Sequence, residues 1–335
     1  MAEVQIGIPA EHAANIYGEL DTHLRKIEKS LGITVVQRDD SVKLIGDDEN
    51  VEKGKKLFAM LLALSARGNT ITEQNVNYAL TLLAEKKEQR LVEIDREIII
   101  HTMSGRPVKP KTVGQKEYID SINENMISFG IGPAGTGKTY LAMAMAIRAF
   151  RAGEVSRIIL TRPAIEAGEK LGFLPGDLQS KIDPYLRPLY DALYEIMGAE
   201  AYLRNSEKGL IEVAPLAYMR GRTLDNAFII LDEAQNTSPS QMKMFLTRIG
   251  FGSKVVITGD RTQKDLPAGT ASGLDIALRV LRKTEGIGFI ELSSKDVVRH
   301  PLVQKIVEAY ERYENRINAR EMKNVREVHV KRSRN

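Results

Sequence analysis

The sequence predicts an α/β protein, a doubly wound and mostly parallel sheet domain preceded by a small α+β domain. Three observations predict this. Between about residues 111 and 310, short continuous apolar runs alternate with helix-like segments, the pattern of a parallel sheet covered on both faces. Residues 1 to about 85 instead combine helical periodicity with two short strand-like runs. Residues 86–110 are charge-rich and then turn-forming at Ser104-Gly105-Arg106-Pro107, which reads as a linker.

In the first region, 10–17 and 22–31 read as helices, and 33–38 and 41–45 as strands around Asp39-Asp40. A third helix over 51–66 places Leu57, Met60, Leu61 and Leu64 on one buried face. Thr72 suits the N-cap of a fourth helix ending near 83. One strand, 98–102, is expected in the linker. The second region offers strands at 126–131, 157–161, 211–214, 228–231, 254–258 and 288–292. Helices are expected at 140–150, 240–249 and 274–283. The tail, 311–335, is highly charged and ends Lys-Arg-Ser-Arg-Asn. It reads either as a solvated helix or as a contact for nucleic acid or a partner.

With 335 residues, 43% hydrophobic and 27% charged, the chain has room for two domains and a sizeable core. A net charge of +4 permits a nucleic-acid partner without requiring one. The absence of cysteine excludes disulfides and thiolate zinc sites. The first residues lack a basic patch followed by an apolar stretch, and the run 58–66 is too short to span a bilayer, so a cytoplasmic location and no membrane partner are expected.

The chemistry concentrates where the strand 126–131 meets Gly132-Pro133-Ala134-Gly135-Thr136-Gly137-Lys138-Thr139. This fits G-x-x-x-x-G-K-[ST], and a helix-like segment follows, the setting a phosphate-binding P-loop requires. Glycine at 132, 135 and 137 lets backbone N–H groups converge on phosphate oxygens. Lys138 can reach the β- and γ-phosphates, Thr139 can coordinate Mg2+, and the helix N-terminus adds its positive end. Strand 228–231 ends in Asp232-Glu233, a Walker-B arrangement. Asp232 suits the Mg2+ shell and Glu233 the general base that polarises water, a pairing that favours ATP hydrolysis over small-molecule phosphorylation. The next strand leads to Gly259-Asp260 and Gln263, placed to sense the γ-phosphate or orient water; an ordinary turn is the alternative. Gln115 can read an adenine edge with its amide, or simply face solvent. The Asn-Lys-x-Asp pattern of a guanine-specific site is absent.

Five blocks in order carry a family resemblance: GIGPAGTGKTYLA (130–142), TRPAIEAGEKLGFLPGDLQSKIDPYLRPLYDAL (161–193), YMRGRTLDNAFIILDEAQN (218–236), VVITGDRTQKDLP (255–267) and DVVRHPLV (296–303). Together they resemble the PhoH family over almost the whole chain. That family is similar to the first RecA-like domain of superfamily 1 helicases. The resemblance implies a Q motif at Gln115, Walker A at 132–139, Walker B at Asp232-Glu233 and a sensor at Gly259, Asp260 and Gln263.

A single RecA-like domain takes its arginine finger from a neighbouring subunit, so the resemblance also implies a homo-oligomer, with a hexameric ring as one form. Arg299 is the first candidate finger, followed by Arg220 and Arg222; each can equally be a surface ion-pair residue. Arg162, Lys170, Lys181 and Arg187 are candidate RNA-phosphate contacts. The first domain resembles a divergent KH-like module whose G-x-x-G position reads Gly18-Glu19-Leu20-Asp21. Its carboxylates repel phosphate, which leaves partner docking or assembly as the other reading. The function implied is an ATPase coupled to RNA, with possible helicase or ribosomal RNA processing activity, working alongside a bacterial single-strand endoribonuclease. A nucleotide-gated assembly or partner-remodelling factor is the alternative.

Overall fold

The computed structural model describes residues 1–86, 90, 94, 97–163, 178–267, 269–298 and seven positions between 302 and 313; for 178–184 it describes the backbone alone. Arg299, Lys170 and residues 314–335 of the tail lie outside the described residues, as does the side chain of Lys181.

The chain opens with a strand, β1 (Ala2–Gly7), that completes a small antiparallel sheet. Helices α1 (Ala10–Tyr17) and α2 (Thr22–Leu31) precede β2 (Thr34–Arg38) and β3 (Ser41–Gly46), giving the strand order β1-β3-β2. Helices α3 (Asp48–Ser65) and α4 (Glu73–Ala84) follow. Thr72 caps α4 as expected, in a reciprocal pair with Asn75. Ile16, Ile27, Leu44, Leu57, Phe58 and Leu61 are fully buried in the core these elements share. The alternation Val4, Ile6 against Glu3, Gln5 is a period-two pattern, the signal by which β1 can be read from sequence. In the expected linker, β4 (Ile100–His101) and β5 (Pro107–Val108) form a two-residue ladder around the turn at 104–106, shorter than the strand anticipated.

Among the described residues the large sheet is six-stranded and wholly parallel. Along the chain come α5 (Val113–Glu124), β6 (Ile127–Ile131), α6 (Lys138–Arg151), β7 (Arg157–Arg162), α7 (Leu178–Met197), α8 (Ala199–Glu207) and β8 (Ile211–Pro215). They continue with β9 (Ala227–Leu231), α9 (Pro239–Leu246), β10 (Lys254–Gly259), α10 (Gly273–Val280) and β11 (Ile287–Glu291). The strand order is β11-β6-β10-β9-β7-β8, with every pair parallel. Alternate residues of the continuous apolar strands face opposite layers. Phe228 and Ile230 pack with α5, α6 and α7, while Ile229 and Leu231 pack with α9 and α10. The expected doubly wound α/β class is what the structure has.

Two helices stop early. α9 ends at Leu246 because Thr247 turns its hydroxyl back on the Lys243 and Met244 carbonyls, and Ile249 bridges to Leu224 instead. α10 ends at Val280. Helix α5, unanticipated from sequence, matters most for the site, because its first turn holds Gln115 behind the loop after β6.

Candidate nucleotide-binding site

Strand order places the chemistry. β10 lies between β6, which runs into the glycine loop, and β9, which ends in the two carboxylates. Residues at the end of β10 therefore stand between phosphate loop and acids, at the carboxyl edge where open α/β sheets bind ligands.

The loop folds tightly against its neighbours. The Gly132 N–H donates to the Gly259 carbonyl at 3.1 Å, and a Cβ on Gly132 would lie 2.5 Å from the Leu292 carbonyl oxygen, so only glycine fits. Gly137 takes the left-handed conformation (φ 78°) and starts α6. Thr136 is fully buried, its hydroxyl donating to the Pro133 carbonyl at 2.9 Å. The Lys138 ammonium curls over the loop, donating to the carbonyls of Gly132 (2.7 Å) and Pro133 (2.9 Å).

Asp232 is held from both sides. Its Oδ1 accepts from the Thr139 hydroxyl at 2.7 Å and from the Thr258 hydroxyl at 2.6 Å, while its N–H donates to the Thr161 carbonyl. Glu233 sits in the left-handed region (φ 53°), an uncommon conformation for a side-chain-bearing residue. Burial, and then the neighbouring Asp232 charge, push the Glu233 carboxyl above its ordinary value of 4.5; Gln235, Arg162 and Lys138 oppose that rise. The Arg162 guanidinium, at the end of β7, stands 3.6 Å from Glu233.

Gln235 ties the site together, and sequence reasoning missed it. Fully buried, it donates to Glu233 and to the Gln263 carbonyl (3.0 Å) and accepts from the Asp260 N–H (3.0 Å). It thus links the end of β9 to the end of β10 and the turn beyond. Its only sequence signal is its place two residues after Glu233. Thr258, equally unanticipated, is the last residue but one of β10.

These residues line a cleft of about 290 Å3 that brings together Gly135, Lys138, Thr139, Asp232, Glu233 and Gln263, with Ala134, Gly137, Gly259 and Asp260. Lys138 is the cation among its described lining residues.

Other expected site residues sit elsewhere. Gln115 is buried behind the loop. Its amide nitrogen donates to the Thr136 carbonyl (3.0 Å) and its amide oxygen accepts from the Lys111 N–H (2.7 Å). Solvation is therefore the wrong alternative for Gln115, and both ends of the amide are engaged by backbone. Arg222 grips Glu212 on the edge strand β8 with two hydrogen bonds, at 2.6 and 2.7 Å. Arg220 and Arg187 are exposed. The turn at Gly18–Asp21 is left-handed at Gly18, Leu20 and Asp21, and it presents Leu20 with 86% of its surface exposed.

A glycine loop between strand and helix, facing an acidic strand end across one intervening strand, defines a P-loop NTPase domain. Residues 107–311 match the family described as PhoH-like protein. A PhoH-like protein of Bacillus subtilis (strain 168) is 51% identical over 302 residues, 90% of this chain and 95% of that protein. One from Mycobacterium tuberculosis (strain ATCC 25618 / H37Rv) is 52% identical over 309 residues, 92% of this chain and 88% of that protein. The chain belongs to the PhoH family. Protein PhoH of Escherichia coli (strain K12) is 46% identical over 206 residues, 61% of this chain and 58% of that protein. Among solved structures, the Pif1 helicase from Candida albicans is similar at 16% identity and a TM-score of 0.33, over 59% of this chain and 42% of that one. No helix among the described residues is long and apolar enough to cross a membrane.

Proposed function

We propose that this chain binds ATP with Mg2+ on the 132–139 loop and hydrolyses it, with Glu233 as general base. The observation that carries the reading is the fixed contact between Thr139 and Asp232, which joins the loop to the acidic strand end at one point.

The donor set there suits Mg2+. It is all oxygen, a hydroxyl and a carboxylate, and Mg2+ characteristically takes one or two protein carboxylates and leaves the rest to phosphate and water. Asp260 adds a buried carboxylate oxygen, Oδ2, that has no hydrogen-bond partner. When bound, the ion neutralises charge between the β- and γ-phosphates.

The chain's own residues supply the remaining steps. Lys138 exchanges the Gly132 and Pro133 carbonyls for phosphate oxygens, a stronger, charge-assisted contact. Glu233 accepts a proton from water, and burial makes it a better acceptor than an ordinary glutamate. Gln263, held through its own carbonyl by Gln235, orients that water. Arg162, 3.6 Å from Glu233, is a second cation beside the cleft; the family resemblance supports a further arginine supplied by a second copy in a homo-oligomer. Arg299 remains the first candidate.

RNA is the partner we propose for the motor, acting in ribosomal RNA processing beside a single-strand endoribonuclease. The family resemblance and the net charge of +4 support this. The acidic Gly18–Asp21 turn, with Glu19 and Leu20 exposed, favours a second reading, a nucleotide-gated assembly factor that docks a partner there. Steady-state ATP hydrolysis with and without single-stranded RNA, at two salt concentrations, separates the readings. Salt-sensitive stimulation supports the RNA motor, because phosphate contacts release counterions. Turnover indifferent to RNA supports the assembly factor.

A further inference from the structure

A second cavity, about 560 Å3, lies where α4 faces the segments 109–112 and 294–298. Among the described residues it shares no lining residue with the phosphate cleft. Two links wall it off. The Val298 N–H donates to the Gly135 carbonyl at 2.9 Å, and the Lys111 N–H donates to Gln115, whose amide donates to the Thr136 carbonyl. A ligand of the cleft therefore does not extend into the cavity, and any occupant of the cavity is a separate one.

The lining sets the chemistry of that occupant. Lys109, Lys111 and Lys295 line the cavity, and no carboxylate stands among its described lining residues. Lys109 donates to the neutral Asn69 amide, and Lys295 is ion-paired with Glu85 at the C-cap of α4. Glu85 offsets one of the three lysine charges. Asp296 lies behind the wall with its oxygens bonded to Thr112 and Ser293, so the cavity surface stays cationic. Leu64, Ile94, Val297 and Val298 supply an apolar part, while Gln74, Asn77, Tyr78 and Thr81 present one polar face of α4. An occupant that suits this lining carries negative charge about an apolar centre.

The chain itself carries such a group. The Gly18–Asp21 turn sets Glu19 and Asp21 on either side of Leu20, and Leu20 is 86% exposed. Leu20 and Asp21 hold left-handed backbone, φ 50° and 60°, which leucine adopts rarely. A lone exposed leucine is ordinary; this one stands at the tip of an acidic turn, in backbone it disfavours. The cavity's volume, inside the range of about 300–1,000 Å3 for sites that bury a drug-sized molecule, has room for one leucine side chain and its flanking carboxylates. We infer that the Gly18–Asp21 turn of one copy docks in this cavity of a second copy, with Leu20 on the apolar part and Glu19 and Asp21 against the lysines. This rests on the homo-oligomer reading and gives the turn a second copy as its partner. Turn and cavity are different patches, so the contact is heterologous and each added copy leaves one of each open for the next.

Sedimentation velocity of the full-length chain over a concentration series tests this. Wild type should self-associate, less tightly as salt rises, because the contact is between charged groups. Leu20→Asn removes the apolar tip, and asparagine tolerates the left-handed backbone, so the turn keeps its shape. Lys111→Glu reverses a charge at the cavity and leaves the bond from the residue 111 N–H to Gln115 in place. Each variant alone should weaken self-association at least about tenfold, the scale of one buried leucine or one charge reversed. Mixed, the two variants should associate with each other about as tightly as wild type, since one keeps an intact cavity and the other an intact turn; misfolded variants would not. Association as tight as wild type in both variants overturns the docking and leaves the cavity to another occupant, a small anion or a different protein. A mixture that stays apart overturns it too. A wild type that is monomeric throughout fails the homo-oligomer reading itself, a result distinct from an oligomer that the two substitutions leave untouched.

Discussion

Replacing Gln115 separates two roles that the sequence leaves open for it. If its amide reads a base, Gln115→Ala weakens ATP and leaves the unliganded protein as stable as before. The structure predicts otherwise. The substitution strips the Thr136 carbonyl of a donor at a residue that is fully buried, a loss of about 1–3 kcal/mol. It also removes the acceptor of the Lys111 N–H; because Lys111 is exposed, water replaces that bond and the loss is nearer 0.5–1 kcal/mol by order of magnitude. Together the cost is about 1.5–4 kcal/mol, which lowers the thermal midpoint by on the order of 3–16 °C at this domain size. Differential scanning calorimetry without nucleotide measures it. Gln115→Glu retains the acceptor for Lys111 but sets a carboxylate oxygen against the Thr136 carbonyl, so it is expected to be no better than alanine. An unchanged midpoint in both variants, with ATP affinity reduced, would refute the buttressing role.

Three further outcomes are expected. Glu233→Gln should bind ATP normally and lose at least about a hundredfold in turnover, the scale of a general base; single-turnover hydrolysis checks this, and near-normal rates would move the base elsewhere. Arg162→Ala removes a positive charge that holds the Glu233 carboxyl down, so that carboxyl rises further and the acidic limb of the turnover profile shifts to higher pH; an unmoved limb would mean another group controls it. Arg222→Ala breaks the two-bond grip on Glu212 and should lower stability modestly while leaving turnover per folded molecule unchanged, since Glu212 is on the edge strand, away from the cleft; a large fall in turnover without unfolding would restore Arg222 as the finger.

Much of this arrangement was legible in the sequence because its signals are local. The α/β alternation gave every strand of the large sheet within two residues, since fully buried strands are continuous apolar runs bounded by turns. The glycine loop and the Asp232-Glu233 pair are short motifs whose roles follow from residue type and setting. What escaped is non-local. Gln235 and Thr258 owe their importance to β10 being inserted between β6 and β9, a strand order no periodicity reveals. Gln115 stands out in the sequence by residue type, but its donor partner, the Thr136 carbonyl, comes from the fold of the loop 21 residues away. The polar face of α4 resembles any solvated helix face until the segment 294–298 is laid against it. Helix α5 has a local signal in its capped start, where the Thr112 hydroxyl accepts from the Gln115 N–H.

If residues 132–139, with Thr139 and Asp232, form a triphosphate site, both the loop lysine and Mg2+ must matter to binding. Isothermal titration of full-length wild type and Lys138→Ala with ATP, in Mg2+ and then in EDTA, tests it most directly. Wild type should bind saturably and more weakly once Mg2+ is chelated, and the variant should lose about tenfold or more. Equal affinity in wild type and Lys138→Ala, indifferent to Mg2+, would contradict it.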